Sequence, residues 1–101
     1  MTVKLVVLYT QPADVEAFER HYLDKHVPLV DAMPGLIKAE SGKLAPLGRG
    51  EQAYYRAAEL YFADKAALNA ALRSAEGAAT GADYGEIAPP GSMMLVQELD
   101  D

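Results

Sequence analysis

His26 is the residue of this 101-residue chain whose position in the sequence best suits it to chemistry. An imidazole takes or gives a proton near neutral pH, so it can act as a general acid or base. His26 follows Phe18 and Tyr22 at helical spacing, which places the three side chains on one apolar face of a predicted helix. We predict that this helix stops or kinks near His26, because Pro28 removes a backbone donor and disfavours helical geometry before it.

Two interpretations of His26 stay open at this point. A catalytic His26 would transfer protons, whereas a structural His26 would bind a backbone carbonyl left free beside Pro28. The C-terminus of a helix favours the cationic imidazole, while burial favours the neutral form. Asp31 lies just beyond Pro28 and is a candidate to orient His26 or to contact a substrate. The competing interpretation of Asp31 is a solvated carboxylate.

Tyrosine is the second residue type with chemical potential, because the chain has six tyrosines and no tryptophan. A tyrosine offers a flat face and one hydroxyl, which suits an aromatic or oxygenated ligand. Tyr22, one turn before His26, is the strongest substrate-binding candidate, and Tyr9 and Tyr61 in predicted strands come next. Packing in the core or in a dimer is the alternative for each of them. The sequence does not decide which sheet face Tyr9 or Tyr61 occupies.

The sequence carries no pattern for a metal or for a nucleotide cofactor. It contains no cysteine, and no G-x-G-x-x-G or other phosphate loop occurs in it. His21 and His26 are five residues apart, so they point to different faces of a helix and cannot form the usual i, i+4 metal pair. His21 is predicted to face solvent. We therefore predict neither a cofactor nor a metal site built by the protein.

The elements that must position these residues follow the order β-α-β-β-α-β. Segments rich in Val, Leu and Tyr predict four strands, Thr2–Thr10, Leu36–Lys43, Ala53–Ala63 and Ser92–Leu99. The predicted helices begin at the N-cap residues Asp14, Asp64 and Ser74, and the last is expected to fray at Gly81 and Gly85. This order predicts a ferredoxin-like α+β fold, in which the helices cover one face of a four-stranded antiparallel sheet.

The first strand is apolar on both of its faces, which bears on assembly. Val3, Leu5, Val7 and Tyr9 alternate with a second set that includes Val6 and Leu8. Helices on one side leave the other face uncovered. We predict that a second copy of the chain covers it, so that two sheets form a barrel across a homodimer. The length suits a single domain, residues 1–101.

Charge and hydropathy exclude several classes of partner. The net charge of −6 argues against nucleic acid, because phosphate binding needs clustered Lys and Arg, and against an anionic membrane surface. No apolar run approaches the ~20 residues of a membrane span, and the N-terminus lacks the pattern of a signal peptide. We expect a cytoplasmic protein, which the absence of cysteine permits.

Several short motifs resemble those of a known family. They are F-x-x-x-Y at Phe18 and Tyr22, H-V-P-L at His26–Leu29, M-P-G-L at Met33–Leu36, A-E-L-Y-F at Ala58–Phe62 and S-A-E-G at Ser74–Gly77. Together they resemble the EthD-like branch of the dimeric α/β-barrel proteins, over nearly the whole chain. The H-V-P-L motif followed by P-G-L is the most specific part. Ala75 departs from the family pattern, in which proline is common at this position.

The resemblance implies a ferredoxin-like fold, a homodimeric barrel and a small-molecule cavity between helices and sheet, with His26 at or near it. It does not specify a reaction, since the superfamily includes polyketide cyclases, cofactor-free monooxygenases, lactone isomerases and haem-degrading enzymes. Because no cofactor motif is present, we predict a cofactor-free proton-transfer enzyme (cyclase, isomerase or monooxygenase-like) or a catabolic auxiliary, acting on a small aromatic or oxygenated compound. The alternatives are a non-catalytic ligand-binding accessory protein and, less favoured, a haem-binding protein that uses His26.

Overall fold

A four-stranded antiparallel sheet with helices packed on it makes up the computed structural model, which describes residues 1–101. The strands are β1 (Val3–Tyr9), β2 (Lys38–Lys43), β3 (Arg56–Phe62) and β4 (Met93–Glu98). The helices are α1 (Val15–His21), α2 (Val27–Asp31), α3 (Lys65–Arg73) and α4 (Ala75–Ile87), and a π-helical segment, Tyr22–His26, joins α1 to α2. The strands lie in the order β2-β3-β1-β4, which confirms the ferredoxin-like prediction. None of these helices is both long and apolar enough to cross a membrane.

The two faces of the sheet differ in what covers them. Buried and half-buried residues alternate along β1 and β3, which pair in register with Leu5 opposite Leu60 and Tyr9 opposite Arg56. The buried set faces the helices and forms the core. The opposite face, called the open sheet face below, carries Lys4, Val6, Leu8, Lys38, Glu40, Ala57, Glu59, Tyr61, Met93, Leu95 and Gln97.

Side-chain caps begin the three helices that follow extended chain, as the sequence predicted. The carboxylates of Asp14 and Asp64 each accept a hydrogen bond from the backbone N–H three residues later, at 3.1 and 2.8 Å. The Ser74 hydroxyl accepts the equivalent bond from Gly77 at 3.0 Å and separates α3 from α4. Each cap of this kind stabilises its helix by about 1 kcal/mol.

The predicted stop of the first helix near His26 is wrong, but the helix geometry does change there, since the π-helical segment ends at His26 and α2 begins at Val27. The chain stays helical from residue 15 to residue 31, because the π-helical segment accommodates the proline. Within this segment the Val27 N–H bonds to the carbonyl of Tyr22, five residues back. The wider turn suits Pro28, which has no N–H and lies in the first turn of α2. His26 therefore lies inside a continuous helical stretch, and the field of a helix C-terminus does not act on it.

The predicted fraying of the last helix is also wrong, since α4 extends over 13 residues and through two glycines. A third glycine, Gly77, explains why α4 packs so closely against the end of α3. A Cβ at Gly77 would collide with the carbonyl oxygen of Ala71, so only glycine permits this approach of α4 to α3. The Thr80 hydroxyl lies 2.8 Å from the Glu76 carbonyl of its own helix and 3.2 Å from the Leu29 carbonyl, so it marks the place where α4 packs on α2. Tertiary packing thus outweighs the weak helix propensity of glycine.

Candidate functional site

His26 is buried, with 4% of its surface exposed, and both of its ring nitrogens have a partner. Nδ1 lies 2.8 Å from Oδ2 of Asp83, and Nε2 lies 3.4 Å from the hydroxyl of Tyr9. A carboxylate only accepts hydrogen bonds, so Nδ1 carries a hydrogen, and in the neutral imidazole the lone pair is then on Nε2, which faces Tyr9. Asp83 thereby fixes the tautomer in which Nε2 is the basic atom.

Asp83 is buried in α4 and receives contacts from both histidines of the chain. Its second oxygen, Oδ1, lies 2.8 Å from Nε2 of His21 and 3.4 Å from Nζ of Lys25. Burial pushes the pKa of Asp83 upward, but the hydrogen bonds from His21 and His26 outweigh burial and bring this pKa below its ordinary value. Asp83 is therefore a carboxylate at neutral pH and accepts a hydrogen bond from each imidazole.

A column of stacked aromatic rings ends at the imidazole of His26. The rings of Phe18, Tyr22 and His26 stack along the helical stretch, with centroids 5.9 and 5.7 Å apart. The guanidinium of Arg56 lies 4.7 Å from the Tyr22 ring centroid and pairs with Glu19 at 2.6 Å. The apolar stripe predicted from the sequence is thus a packed column that restrains the plane of the imidazole.

Tyr9 is a buried phenol beside the basic nitrogen of His26. Its ring meets those of Tyr22 and Tyr84 edge to face, each at 5.7 Å. Burial raises the pKa of Tyr9 well above its ordinary value, and the nearby Tyr22, Tyr84 and Asp83 raise it further. Tyr9 therefore stays protonated, and its hydroxyl can donate a hydrogen bond to Nε2 of His26 or to the oxygen of a ligand.

His26 contributes to the walls of two neighbouring cavities. The inner cavity has a volume of about 80 Å³, lies between the sheet and α4, and is lined by Tyr9, Tyr84, Thr80, Gly81 and apolar side chains that include Leu72 and Met94. The outer cleft has a volume of about 220 Å³ and is lined by Tyr22, Val27, Val30, Asp31 and residues of β2. Nε2 of His26 points to Tyr9, so the inner cavity is the side on which its proton chemistry would take place.

The site residues predicted from the sequence do not all line the same cavity. Tyr9 lines the inner cavity with His26, whereas Tyr22 and Asp31 line the outer cleft. Asp31 is exposed and makes no hydrogen bond to His26. The prediction that Asp31 orients His26 is therefore wrong, because Asp83 makes that contact.

Tyr61 lies on the open sheet face, so the sheet separates it from His26. Its hydroxyl lies 2.9 Å from a carboxylate oxygen of Glu40 and 3.3 Å from one of Glu59 and can donate its one hydrogen to either, and Nζ of Lys38 lies 4.5 Å from its ring centroid. A ligand beside His26 in the same chain is out of reach of Tyr61. The sequence left the sheet face of Tyr61 undecided, and strand register decides it, because Tyr61 pairs with Lys4 on the half-buried side of β1. A substrate-binding role for Tyr61 stays a prediction.

Sequence reasoning missed Asp83 and misjudged His21. His21 was expected to face solvent, but it is half-buried against Asp83. The signal for Asp83 was available in α4, a helix built mainly of Ala and Gly. Thr80, Asp83 and Tyr84 follow the i, i+3, i+4 pattern of one helix face, which is unusual among such small residues.

Neither a metal ion nor a haem group fits this arrangement well. His21, Asp83 and Glu86 place ligand atoms within 4.8 Å of one another, but Nζ of Lys25 lies 3.4 Å from Asp83 and 3.9 Å from Glu86. The lysine thus supplies the positive charge of this cluster. A haem macrocycle is far larger than the inner cavity of about 80 Å³ that Nε2 of His26 faces, and Nδ1 is held by Asp83.

Fold and site together define a class of protein: a ferredoxin-like α+β chain with a buried Asp-His pair beside a cavity between helices and sheet. A family model described as "EthD domain" matches residues 10–90. The chain is also 38% identical over 92 residues to an uncharacterized 11.0 kDa protein in the thcB-thcC intergenic region of Rhodococcus erythropolis, covering 91% of this chain and 89% of that protein. The chain belongs to the EthD domain family, as its motifs predicted.

Solved structures show the same fold. An EthD (ethyl tert-butyl ether) family protein from Bacillus halodurans is 35% identical, with a TM-score of 0.92 over 98% of this chain and 99% of that one. A dimeric ferredoxin-like protein of unknown function from Jannaschia is 19% identical, with a TM-score of 0.76 over 98% and 100%. SnoaB, a cofactor-independent oxygenase from Streptomyces nogalater, is 14% identical, with a TM-score of 0.68 over 99% and 94%. The last two likenesses concern the fold alone.

Proposed function

We propose that this protein is a homodimeric, small-molecule-binding barrel that catalyses proton transfer without a cofactor. The observation that carries the proposal is His26, whose Nδ1 is held by Asp83 at 2.8 Å and whose Nε2 faces Tyr9 at the wall of the inner cavity. A carboxylate, an imidazole and a basic nitrogen that faces the cavity, in this order, are the parts of a general base. SnoaB, a cofactor-independent oxygenase, has the same fold, so the fold is compatible with chemistry of this kind, but the proposal rests on the site.

The chemistry begins with Nε2 of His26 taking a proton from an acidic C–H or O–H group of the substrate. Asp83 then stabilises the imidazolium through Nδ1, while Tyr9 donates a hydrogen bond to the substrate oxygen on which negative charge develops. Return of the proton to a different atom completes an isomerisation. Attack of the anion on an internal carbonyl, followed by return of the proton from His26 to the alkoxide, completes a cyclisation. In a cofactor-free oxygenation the anion reduces O₂ and combines with it, the peroxide takes the proton from His26, and cleavage of its O–O bond with loss of water leaves a carbonyl.

The walls of the inner cavity define the class of substrate. Apolar and aromatic side chains dominate, and the phenols of Tyr9 and Tyr84 are the polar groups with aromatic faces. Such walls suit a small aromatic or oxygenated compound. The exposed side chains of Leu72 and Met94 also line the cavity, so a substrate larger than about 80 Å³ extends outward between them.

Filling the cavity at Gly81 is expected to weaken binding of such compounds without loss of stability. An added Cβ at Gly81 or at Gly85 meets no atom within 4 Å, but only Gly81 lines the cavity. Gly81→Leu and Gly85→Leu should each raise the free energy of unfolding by about 0.5–1 kcal/mol, because leucine favours a helix. A thermal-shift screen of small phenols and cyclic ketones should then give smaller ligand-induced shifts for Gly81→Leu alone. Equal loss in both variants would contradict the proposed site.

Turnover separates the enzyme from a binding protein of the same fold. A compound that stabilises the protein should be incubated with it, and proton exchange from ²H₂O into the compound should be followed by NMR. Exchange that requires the protein supports proton transfer by His26. A ligand that stabilises the protein but is recovered unchanged, without exchange, favours the non-catalytic accessory protein instead.

The homodimer is proposed from the open sheet face. Its apolar residues Val6, Leu8, Met93 and Leu95 form two adjacent cross-strand pairs, Val6 opposite Leu95 and Leu8 opposite Met93. Its two lysines, Lys4 and Lys38, balance its two glutamates, Glu40 and Glu59, and Lys4 pairs with Glu59 at 3.0 Å, so the face has no net charge to repel a second copy. The dimeric ferredoxin-like protein from Jannaschia shares the fold. Two such faces packed together would form the barrel across the dimer.

Placing a charge in the apolar patch of this face is expected to give monomers. Leu95 is 48% exposed on the open sheet face, and Leu23 is 55% exposed on the helical side. Leu95→Asp should raise the dimer dissociation constant by about 100-fold or more, because each dimer would bury two unpaired carboxylates. Leu23→Asp, which makes the same chemical change, should leave the dimer intact. Light scattering after size exclusion measures both, and a dimeric Leu95→Asp variant would refute the assignment.

The location in the cell stays a prediction from the sequence. We place the protein in the cytoplasm, which fits a chain without cysteine. Fractionation of cells that express the untagged protein tests this placement, and recovery from an extracytoplasmic fraction would contradict it.

A further inference from the structure

One carboxylate in this fold serves two imidazoles, and only one of them is buried. Oδ2 of Asp83 lies 2.8 Å from His26, and Oδ1 lies 2.8 Å from His21. The His26 side chain is 5% exposed, whereas the His21 side chain is 30% exposed. His21 therefore meets solvent protons directly, while His26 meets the substrate cavity.

We propose that His21 is a positioning residue that, through Asp83, sets the charge state of His26. Two hydrogen bonds to one carboxylate divide its negative charge, so each imidazole receives less stabilisation of its cationic form than it would alone. When both imidazoles carry a proton, two positive charges also face each other across a single negative one. Protonation of His21 therefore opposes protonation of His26, and the effect is reciprocal.

Other charged groups also lie near the Asp83 carboxylate and near His26. The ammonium of Lys25 lies 3.4 Å from Asp83 and withdraws more of the carboxylate charge, and Glu86 partly offsets this at 3.9 Å from Lys25. On the cavity side, His26 faces the protonated phenol of Tyr9. The other ionisable groups near His26 are Arg56, which stacks on Tyr22, and the carboxyls of Asp31 and Glu40 across the outer cleft.

The catalytic importance of His21 rests on the proposed function, in which His26 is the base. The charge coupling between the two imidazoles can be measured without a substrate. A general base must be neutral before it can take a proton. An Asp83 that served His26 alone would favour the imidazolium and so reduce the fraction of active base. By sharing the carboxylate, His21 and Lys25 weaken the stabilisation that Asp83 gives to the imidazolium of His26 and so favour the neutral base.

The test is a pH titration of the two imidazoles by long-range ¹H–¹⁵N NMR on the full chain without any ligand. In the wild type we expect a two-step titration shared by both rings. His21→Gln keeps a hydrogen-bond donor but cannot be charged, so His26 should titrate in a single step with its midpoint raised by about 0.5–1 pH unit. Arg20→Gln is the control, because it removes a charge from the adjacent exposed position.

The outcomes separate the inference from the proposed function. A His26 midpoint that moves in His21→Gln but not in Arg20→Gln supports the shared carboxylate, even if no substrate is ever turned over. Equal midpoints in wild type and His21→Gln, or equal shifts in both variants, overturn it. If proton-transfer activity is found, the acid limb of its pH profile should move to higher pH in His21→Gln by the same amount.

Discussion

Replacing His26 by glutamine is expected to lower proton-transfer turnover by about 10²–10⁴-fold. Glutamine can donate a hydrogen bond to Asp83, but it has no atom that takes up a proton in this pH range. KM should change little if the ligand is held mainly by the apolar walls of the inner cavity. The measurement is steady-state turnover, or ²H exchange into a bound compound, at saturating ligand.

Asp31→Asn is the control for this experiment, because Asp31 lines the outer cleft without a hydrogen bond to His26. It should keep turnover within about 3-fold of the wild type, as exposed substitutions usually do little. The His26→Gln variant loses a buried charge-assisted contact, so its free energy of unfolding should fall by about 1.5–3 kcal/mol. Circular dichroism must therefore show that it is folded at the assay temperature. Wild-type turnover in a folded His26→Gln variant would refute the assignment of His26 as the base.

Much of the fold could be predicted from the sequence because its signals are local. The caps at Asp14, Asp64 and Ser74 act through hydrogen bonds to an N–H three residues away, so the residue types alone predict where the helices begin. The stripe of Phe18, Tyr22 and His26 depends only on helical spacing, and it is the column that holds the imidazole. These features need no knowledge of tertiary structure.

The parts that could not be predicted depend on contacts between distant segments. Asp83 is 57 residues from His26 and 62 from His21, so no spacing rule connects them. The path through Pro28 depends on a π-helical turn, whereas proline alone favours a stop. The face of Tyr61 follows from its register opposite Lys4, which a strand pattern with apolar residues on both sides leaves undecided.

Replacing Asp83 by asparagine is expected to reduce turnover by up to about 10⁴-fold, although the substitution is nearly isosteric. The amide can present an NH₂ group to Nδ1 of His26, which then becomes an acceptor and moves the hydrogen to Nε2. The basic atom would point to the wrong partner, and Tyr9 would face a donor instead of a lone pair. Losses of this size follow when an amide replaces the carboxylate that fixes the tautomer of a catalytic histidine.

Asp83→Asn should also change how stability depends on pH, and the direction follows from the lowered pKa of Asp83 in the folded chain. The unfolded chain binds this proton at an ordinary pKa of about 3.9, so the folded state releases it more readily. The contribution of Asp83 to stability is therefore fully present above that value, and it is lost as the pH falls through the lower pKa of the folded state. Urea unfolding should show the wild type more stable than Asp83→Asn by about 1.5–3 kcal/mol at pH 7, with the difference shrinking below pH ~4.

Glu86→Gln is the matched control for this pH dependence, because it makes the same chemical change one helical turn further along α4. The Glu86 side chain is exposed and contacts Lys25 only at 3.9 Å, so its removal should alter the free energy of unfolding by less than about 0.5 kcal/mol at any pH. A stability difference between wild type and Asp83→Asn that stays constant down to pH 2 would contradict an ionised Asp83 in the folded state. It would also remove the basis for a neutral His26 with Nε2 as its base, since only a carboxylate holds the hydrogen on Nδ1.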